Sequence, residues 1–118
     1  MAQGNHSLGL CAVAMMLLFV SPETSATARQ PAKTHVIVVG NLSFGAVPNS
    51  VRVGDTIVWI NKDIFRHTAT ARDNSFDLDL APGAQAQTVV KKTGILDYYC
   101  RFHPGMTGKI SVVRRLQQ

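Results

Sequence analysis

The chain has 118 residues, with 12 Lys and Arg against 7 Asp and Glu, and a formal net charge of +5. That length suggests a single domain. The basic residues lack the interleaved aromatics of a nucleic-acid-binding face, so no nucleic-acid partner is expected. The charge points at most to steering toward acidic partners or anionic surfaces.

The chain opens on a leader. Leu8 to Val20, LGLCAVAMMLLFV, is 13 apolar or small residues without a charge. It is too short to span a bilayer, which takes ~20 residues, and has the length of a signal-peptide apolar core. Pro22 breaks the run, and Ala26 and Ala28 fit a small-x-small cleavage pattern, which places the cut after Ala28. Residues 1–28 are therefore expected to be a cleaved signal peptide, directing export to the periplasm and leaving no stable membrane insertion. The initial MAQGNHS has no Lys or Arg, so an uncleaved anchor or a buried apolar strand is the competing reading. Cys11 lies inside the apolar run, a poor position for lipidation, and leaves with the leader.

The domain is then 29–118. It keeps all 12 basic residues and loses one acid, Glu23, so its formal charge rises to +6. It retains one cysteine, Cys100, and so has no internal disulfide, which is unusual for a small exported domain. Domains of this size are often marginal on apolar burial alone, and a bound metal is one remedy.

From Lys33 on, the sequence reads as short strands broken by turns. HVIVV (His35–Val39) is an apolar β-branched run stopped by Gly40-Asn41. VRV (Val51–Val53) ends at Gly54-Asp55, a hairpin signal, and TIVWIN (Thr56–Asn61) follows at once. HTATA (His67–Ala71) alternates. Pro82-Gly83 marks a turn before AQTVVKK (Ala86–Lys92), which Thr93-Gly94 ends. ILDYYC (Ile95–Cys100) and GKISVV (Gly108–Val113) close the fold. Seven or eight such strands, with no helical period, suggest an antiparallel β-sandwich. Lys91-Lys92 and Arg114-Arg115 read as solvated surface pairs, and His35 as a surface histidine.

The chemistry lies in YYCRFHPGM, where Cys100, His103 and Met106 stand three residues apart. Thiolate and thioether are soft donors that favour Cu(I), zinc or iron–sulfur clusters. Zinc sites built on cysteine usually gather two or more thiolates, and iron–sulfur clusters want about four. One Cys with His and Met points to copper. A thiolate and two imidazoles make a trigonal plane, with a weak axial thioether. His67, after the polar turn NKDIFR, is assigned as the second imidazole. Four protein ligands leave no easy open position for substrate, so electron transfer is favoured over catalysis.

Taken together, DTIVWINKDIFRHTAT and GILDYYCRFHPGMTGKISVV resemble the small blue copper proteins, or cupredoxins, over most of Lys33 to Val113. The two-residue gaps of the Cys–His–Met loop are most like the amicyanin and pseudoazurin branch. The resemblance implies a Greek-key β-sandwich with one copper ion, cycling between Cu(I) and Cu(II), near one end. It carries over the ligands His67, Cys100, His103 and Met106. It also implies that electrons pass where His103 reaches the surface, with Phe102 and Pro104 as apolar flanks. One position departs from the pattern: the family commonly has Asn after the first histidine, where this chain has Thr68, which leaves the redox potential open.

The resulting expectation is a monomeric type 1 copper protein that shuttles single electrons between periplasmic redox partners. By analogy with amicyanins the donor and acceptor would be a dehydrogenase and a cytochrome. The alternative is a periplasmic copper carrier or buffer, which the ligands alone do not separate from a shuttle. An enzyme is disfavoured. Asp77 and Asp79 in FDLDL can share a strand face for acid–base work, but no nucleophile or base stands beside them. Multicopper enzymes need more histidines, a dinuclear site needs a second cysteine, and a Cys100–His67 protease leaves Met106 unexplained.

Overall fold

The computed structural model describes residues 1–5, 9, 18–23 and 28–116. Most of the apolar run 8–20, where a signal-peptide core is expected, lies outside these residues, Cys11 included. Among the described residues there is no helix. The strands run β1 (Thr34–Gly40), β2 (Ser43–Phe44), β3 (Val51–Arg52), β4 (Thr56–Asn61), β5 (His67–Ala71), β6 (Asp77–Leu80), β7 (Gln85–Val89), β8 (Gly94–Tyr99) and β9 (Thr107–Val113). They form two sheets, ordered β2-β1-β4-β7 and β3-β9-β8-β5-β6. The expected β-sandwich is present, with nine strands rather than seven or eight.

The two extra strands are ones the sequence hides. β2 has only two residues, and β6 carries two aspartates, poor strand formers. β6 is tolerated as an edge strand, whose carboxylates need not face the core. The sheets are also mixed rather than purely antiparallel. β1 pairs with β4 in parallel (Ile37 opposite Trp59), and β3 with β9 in parallel (Val51 opposite Val112). The cause is the route of the chain: it leaves the first sheet after β2, passes through β3 in the second, and re-enters as β4 from the end where β1 began.

Gly54-Asp55 is accordingly not a hairpin. The turn is tight, with the Asp55 amide donating to the Arg52 carbonyl at 2.9 Å, but it carries the chain from one sheet to the other. Gly54 takes φ 90°, a conformation that favours glycine.

Period-2 alternation builds the core. Along β4, Ile57, Trp59 and Asn61 point inward while Thr56, Val58 and Ile60 are half-covered. Ile37, Val39, Ile57 and Trp59 of one sheet share a fully buried cluster with Ala69, Leu80, Tyr98 and Ile110 of the other. Each large apolar side chain so buried contributes about 1.5–3 kcal/mol. The Tyr98 ring lies edge-on to Phe44 and Trp59, with centroids at 4.9 and 4.8 Å. Gly108 faces Tyr98 across β8–β9, and a Cβ there would sit 2.3 Å from the tyrosine Cζ.

At the Gly54 end a buried carboxylate gathers the chain. Asp55 accepts the backbone N–H groups of Lys33 and Arg52, each at 2.9 Å, meets the His35 ring at 2.9 Å, and pairs with Arg115. Burial works against its ionisation, but the Lys33 amide, His35, the Arg52 amide and Arg115 together hold its carboxyl far below the ordinary range. Two sequence expectations are corrected here. His35 is largely covered rather than at the surface, because Asp55 draws it in. Arg115 is partly covered where it pairs with the same acid, and it also donates to the carbonyls of Gln30 and Pro31.

Candidate metal centre

The opposite end of the sandwich carries the candidate ligands. His67 opens β5 and is fully buried. Cys100 follows β8 directly, and Met106 directly precedes β9; both are buried. His103, between them, is only half-buried. The Cys100 amide donates to the Met106 carbonyl at 3.0 Å, and the Met106 amide to the His103 carbonyl at 2.8 Å. The first bond continues the β8–β9 ladder by one rung into the loop, and the second closes a turn within it, so the sheet sets the width of the loop.

Three donor atoms converge. His67 Nδ1 and His103 Nδ1 are 3.1 Å apart, and Cys100 Sγ lies 3.8 and 3.6 Å from them. Among the described residues, this trio is the cluster of His, Cys, Asp or Glu able to hold a metal. The point equidistant from the three atoms is about 2.0 Å from each, close to the ~2.0–2.3 Å of metal–imidazole and metal–thiolate bonds. One thiolate with two imidazoles, and a buried thioether on the same loop, is the donor chemistry that suits copper better than zinc. The residues present therefore fit the ion.

The ring tautomer is set from behind. His67 Nε2 donates to Asp63 Oδ2 at 3.0 Å, which leaves the Nδ1 lone pair aimed at the metal point. Asp63 is fixed in turn. It accepts the amides of Leu42 and Ile64 at 2.9 and 2.8 Å. The Leu42 amide first, and then His67, hold its carboxyl down to about 2. So Asp63 is an anion that can only accept, and the proton sits on Nε2.

Asn61, at the inner end of β4, holds the turn that delivers Asp63 and His67. Its amide nitrogen donates to the carbonyls of Phe65 and Leu80, each at 2.8 Å, and its oxygen accepts the Asp63 amide at 2.8 Å. Sequence reading found neither Asn61 nor Asp63. The signal was present in WINKDIFRH, where an acid stands four residues before a candidate ligand.

The sulfur accepts the Thr68 amide at 3.4 Å. Over the half-exposed His103 ring lies a hollow lined by Phe65, Arg66, Phe102 and His103. Phe102 and Phe65 are roughly half exposed, and the Phe65 and His103 rings meet edge-on at 6.2 Å. Pro104 is exposed beside them. Phe65 is an apolar neighbour the sequence reading did not name.

Asp77 and Asp79 do share one face of β6, opposite Thr70 and Thr68 of β5. Each holds a cation: Asp77 pairs with Arg101, and Asp79 with Arg66.

No protein-family model matches the chain. An amicyanin from Paracoccus versutus is 24% identical over 98 residues, which cover 78% of this chain and 74% of that protein. Among solved structures, a purple cupredoxin from Nitrosopumilus maritimus aligns with a TM-score of 0.61 at 24% identity, over 67% of this chain and 99% of that one. The reduced state of an amicyanin with a proline-to-phenylalanine substitution aligns with a TM-score of 0.59 at 26% identity, over 68% and 82%.

Proposed function

We propose that this chain, a small blue copper protein of the cupredoxin fold, passes single electrons between redox partners in the periplasm. The carrying observation is the convergence of His67 Nδ1, His103 Nδ1 and Cys100 Sγ, all within 4.8 Å of one another. In this reading His67, Cys100, His103 and Met106 would hold the copper. Copper bound there supplies a one-electron Cu(I)/Cu(II) couple.

The chain's own residues do the rest. The two loop bonds and the Asp63 tether hold the donors in place, so little rearrangement accompanies a change of charge. Burial of Cys100 and Met106 keeps water from the sulfurs. The half-exposed His103, with Phe65, Phe102 and Pro104 around it, is where an apolar partner surface can approach. The support for redox partners and for one bound copper is the likeness to amicyanins, one solved relative being a Cu(I) form. A dehydrogenase donor and a cytochrome acceptor, a monomeric state, and a leader over 1–28 removed on export belong to the same reading.

The test is to add Cu(II) to purified 29–118 and record the visible spectrum. An intense thiolate-to-copper band that is lost in Cys100→Ala is expected; a folded, colourless protein would refute the reading. A shuttle keeps its copper through repeated reduction and reoxidation in the presence of a chelator. Ready loss of copper in that experiment would favour the carrier function.

A further inference from the structure

We propose that Asp77, on the edge strand β6, is a positioning residue for the ligand loop, acting through a closed ring of hydrogen bonds that runs through Thr70, Thr68 and Arg101. This rests on the reading of Cys100 as a copper ligand. The ring has four bonds. The Arg101 amide meets Thr68 Oγ1 at 2.9 Å, Thr68 Oγ1 meets Thr70 Oγ1 at 2.9 Å, and Thr70 Oγ1 meets Asp77 Oδ1 at 2.7 Å. Arg101 Nε returns to Asp77 Oδ1 at 3.0 Å and closes it.

Donor and acceptor chemistry gives the ring one direction. An ionised carboxylate only accepts, and an amide N–H or guanidinium only donates. The Thr70 proton therefore goes to Asp77. The Thr70 oxygen is then free to accept the Thr68 proton, and the Thr68 oxygen to accept the Arg101 amide. Thr68 and Thr70 are buried, so water does not compete for these protons.

Two consequences follow for the metal site. Arg101 is bonded directly to Cys100, and the ring fixes both its amide and its side chain, so the loop leaves β8 in one direction. The Thr68 hydroxyl proton is committed to Thr70, so the sulfur is served by the Thr68 backbone amide at 3.4 Å and not by the hydroxyl. Asp77 thus sets which donors the sulfur meets without touching it. The departure of Thr68 from the expected Asn is matched by Thr70 on the same strand, Asp77 on β6 and Arg101 in the ligand loop, and it gives a use to half of the FDLDL carboxylate pair.

The experiment compares Asp77→Ala, Asp77→Asn, Thr70→Val and Asp79→Ala. Asp79 is the charge-matched control: it lies on the same face of β6 but pairs with Arg66 outside the ring. Asp77→Ala frees the Thr68 hydroxyl and unpins Arg101. In the copper-loaded protein it should move the thiolate-to-copper band and the reduction potential and speed copper release by about 10-fold, the low end for lost outer-shell partners. Thr70→Val, which cuts the next link, should do the same. Asp77→Asn keeps an accepting oxygen and should restore all three readouts to within about twofold. Asp79→Ala should leave band and release unchanged.

The metal-free protein gives an independent readout. The Arg101 amide should exchange hydrogen about 10-fold faster in Asp77→Ala and Thr70→Val, but not in Asp79→Ala. Equal shifts in Asp77→Ala and Asp79→Ala would reduce the effect to charge and overturn the proposal. So would an Asp77→Ala protein indistinguishable from the parent. Failure of the parent to develop the band would refute the copper reading instead, and the exchange rates would still decide the ring.

Discussion

Asn61→Ala tests whether one buried amide holds the turn that carries His67. The substitution removes three hydrogen bonds, to the Asp63 amide and to the Phe65 and Leu80 carbonyls. The Asp63 and Phe65 groups lie in a partly exposed turn and can find water, so each bond is worth about 1 kcal/mol. The Leu80 bond is buried, and an orphaned buried carbonyl costs about 1–3 kcal/mol. The loss should therefore be about 3–5 kcal/mol, or about 12–40 °C in the melting temperature of a domain this size. Urea unfolding of the metal-free protein, followed by the fluorescence of Trp59, measures it. The midpoint should fall with the slope unchanged. A loss below about 1 kcal/mol would mean that packing, and not this amide, organises the turn.

Asp63→Ala should lower copper affinity by about 10- to 100-fold, because His67 loses the acceptor that fixes its tautomer; competition with a copper chelator reads it. The Asp63 carboxyl is held down to about 2 by the Leu42 amide and His67. Its contribution to stability is thus complete above the ordinary carboxylate value near ~4 and is lost as pH falls through about 2. Asp63→Asn should flatten the acid limb of a stability-versus-pH curve in that window. Asp55→Ala strands Arg115 and two backbone amides at the other end of the sandwich and should cost about 3–5 kcal/mol, measured by thermal unfolding. Gly108→Ala drives a methyl into the Tyr98 ring and should cost about 1–3 kcal/mol by overpacking; a melting temperature equal to the parent's would contradict that contact.

The sandwich was legible because its longer strands alternate cleanly. TIVWIN coincides with β4, whose burial alternates, and HTATA with β5, although β5 lies inside the second sheet and is buried along its whole length. The sheet pairing was not legible, since Gly54-Asp55 has the local chemistry of a hairpin whether or not the chain changes sheets. β2 and β6 escaped for want of length and propensity. At the metal centre, Cys100, His103 and Met106 announce themselves by spacing within one loop. His67 had to be inferred, because its approach to that loop depends on the long-range pairing of β5 with β8. Asn61 and the Thr70–Asp77 link act through bonds between segments that their local sequence does not show, whereas Asp63 left a trace in standing four residues before His67. The aspartates of FDLDL, expected to be neighbouring surface charges, each pair with an arginine that the local sequence does not identify.

The most direct measurement is X-ray absorption at the copper edge of the loaded protein. Two nitrogen donors and one sulfur are expected at about 2.0–2.3 Å, with the sulfur contribution absent when Cys100 is replaced. A coordination shell of oxygen and nitrogen alone, the same with or without Cys100, would contradict that expectation.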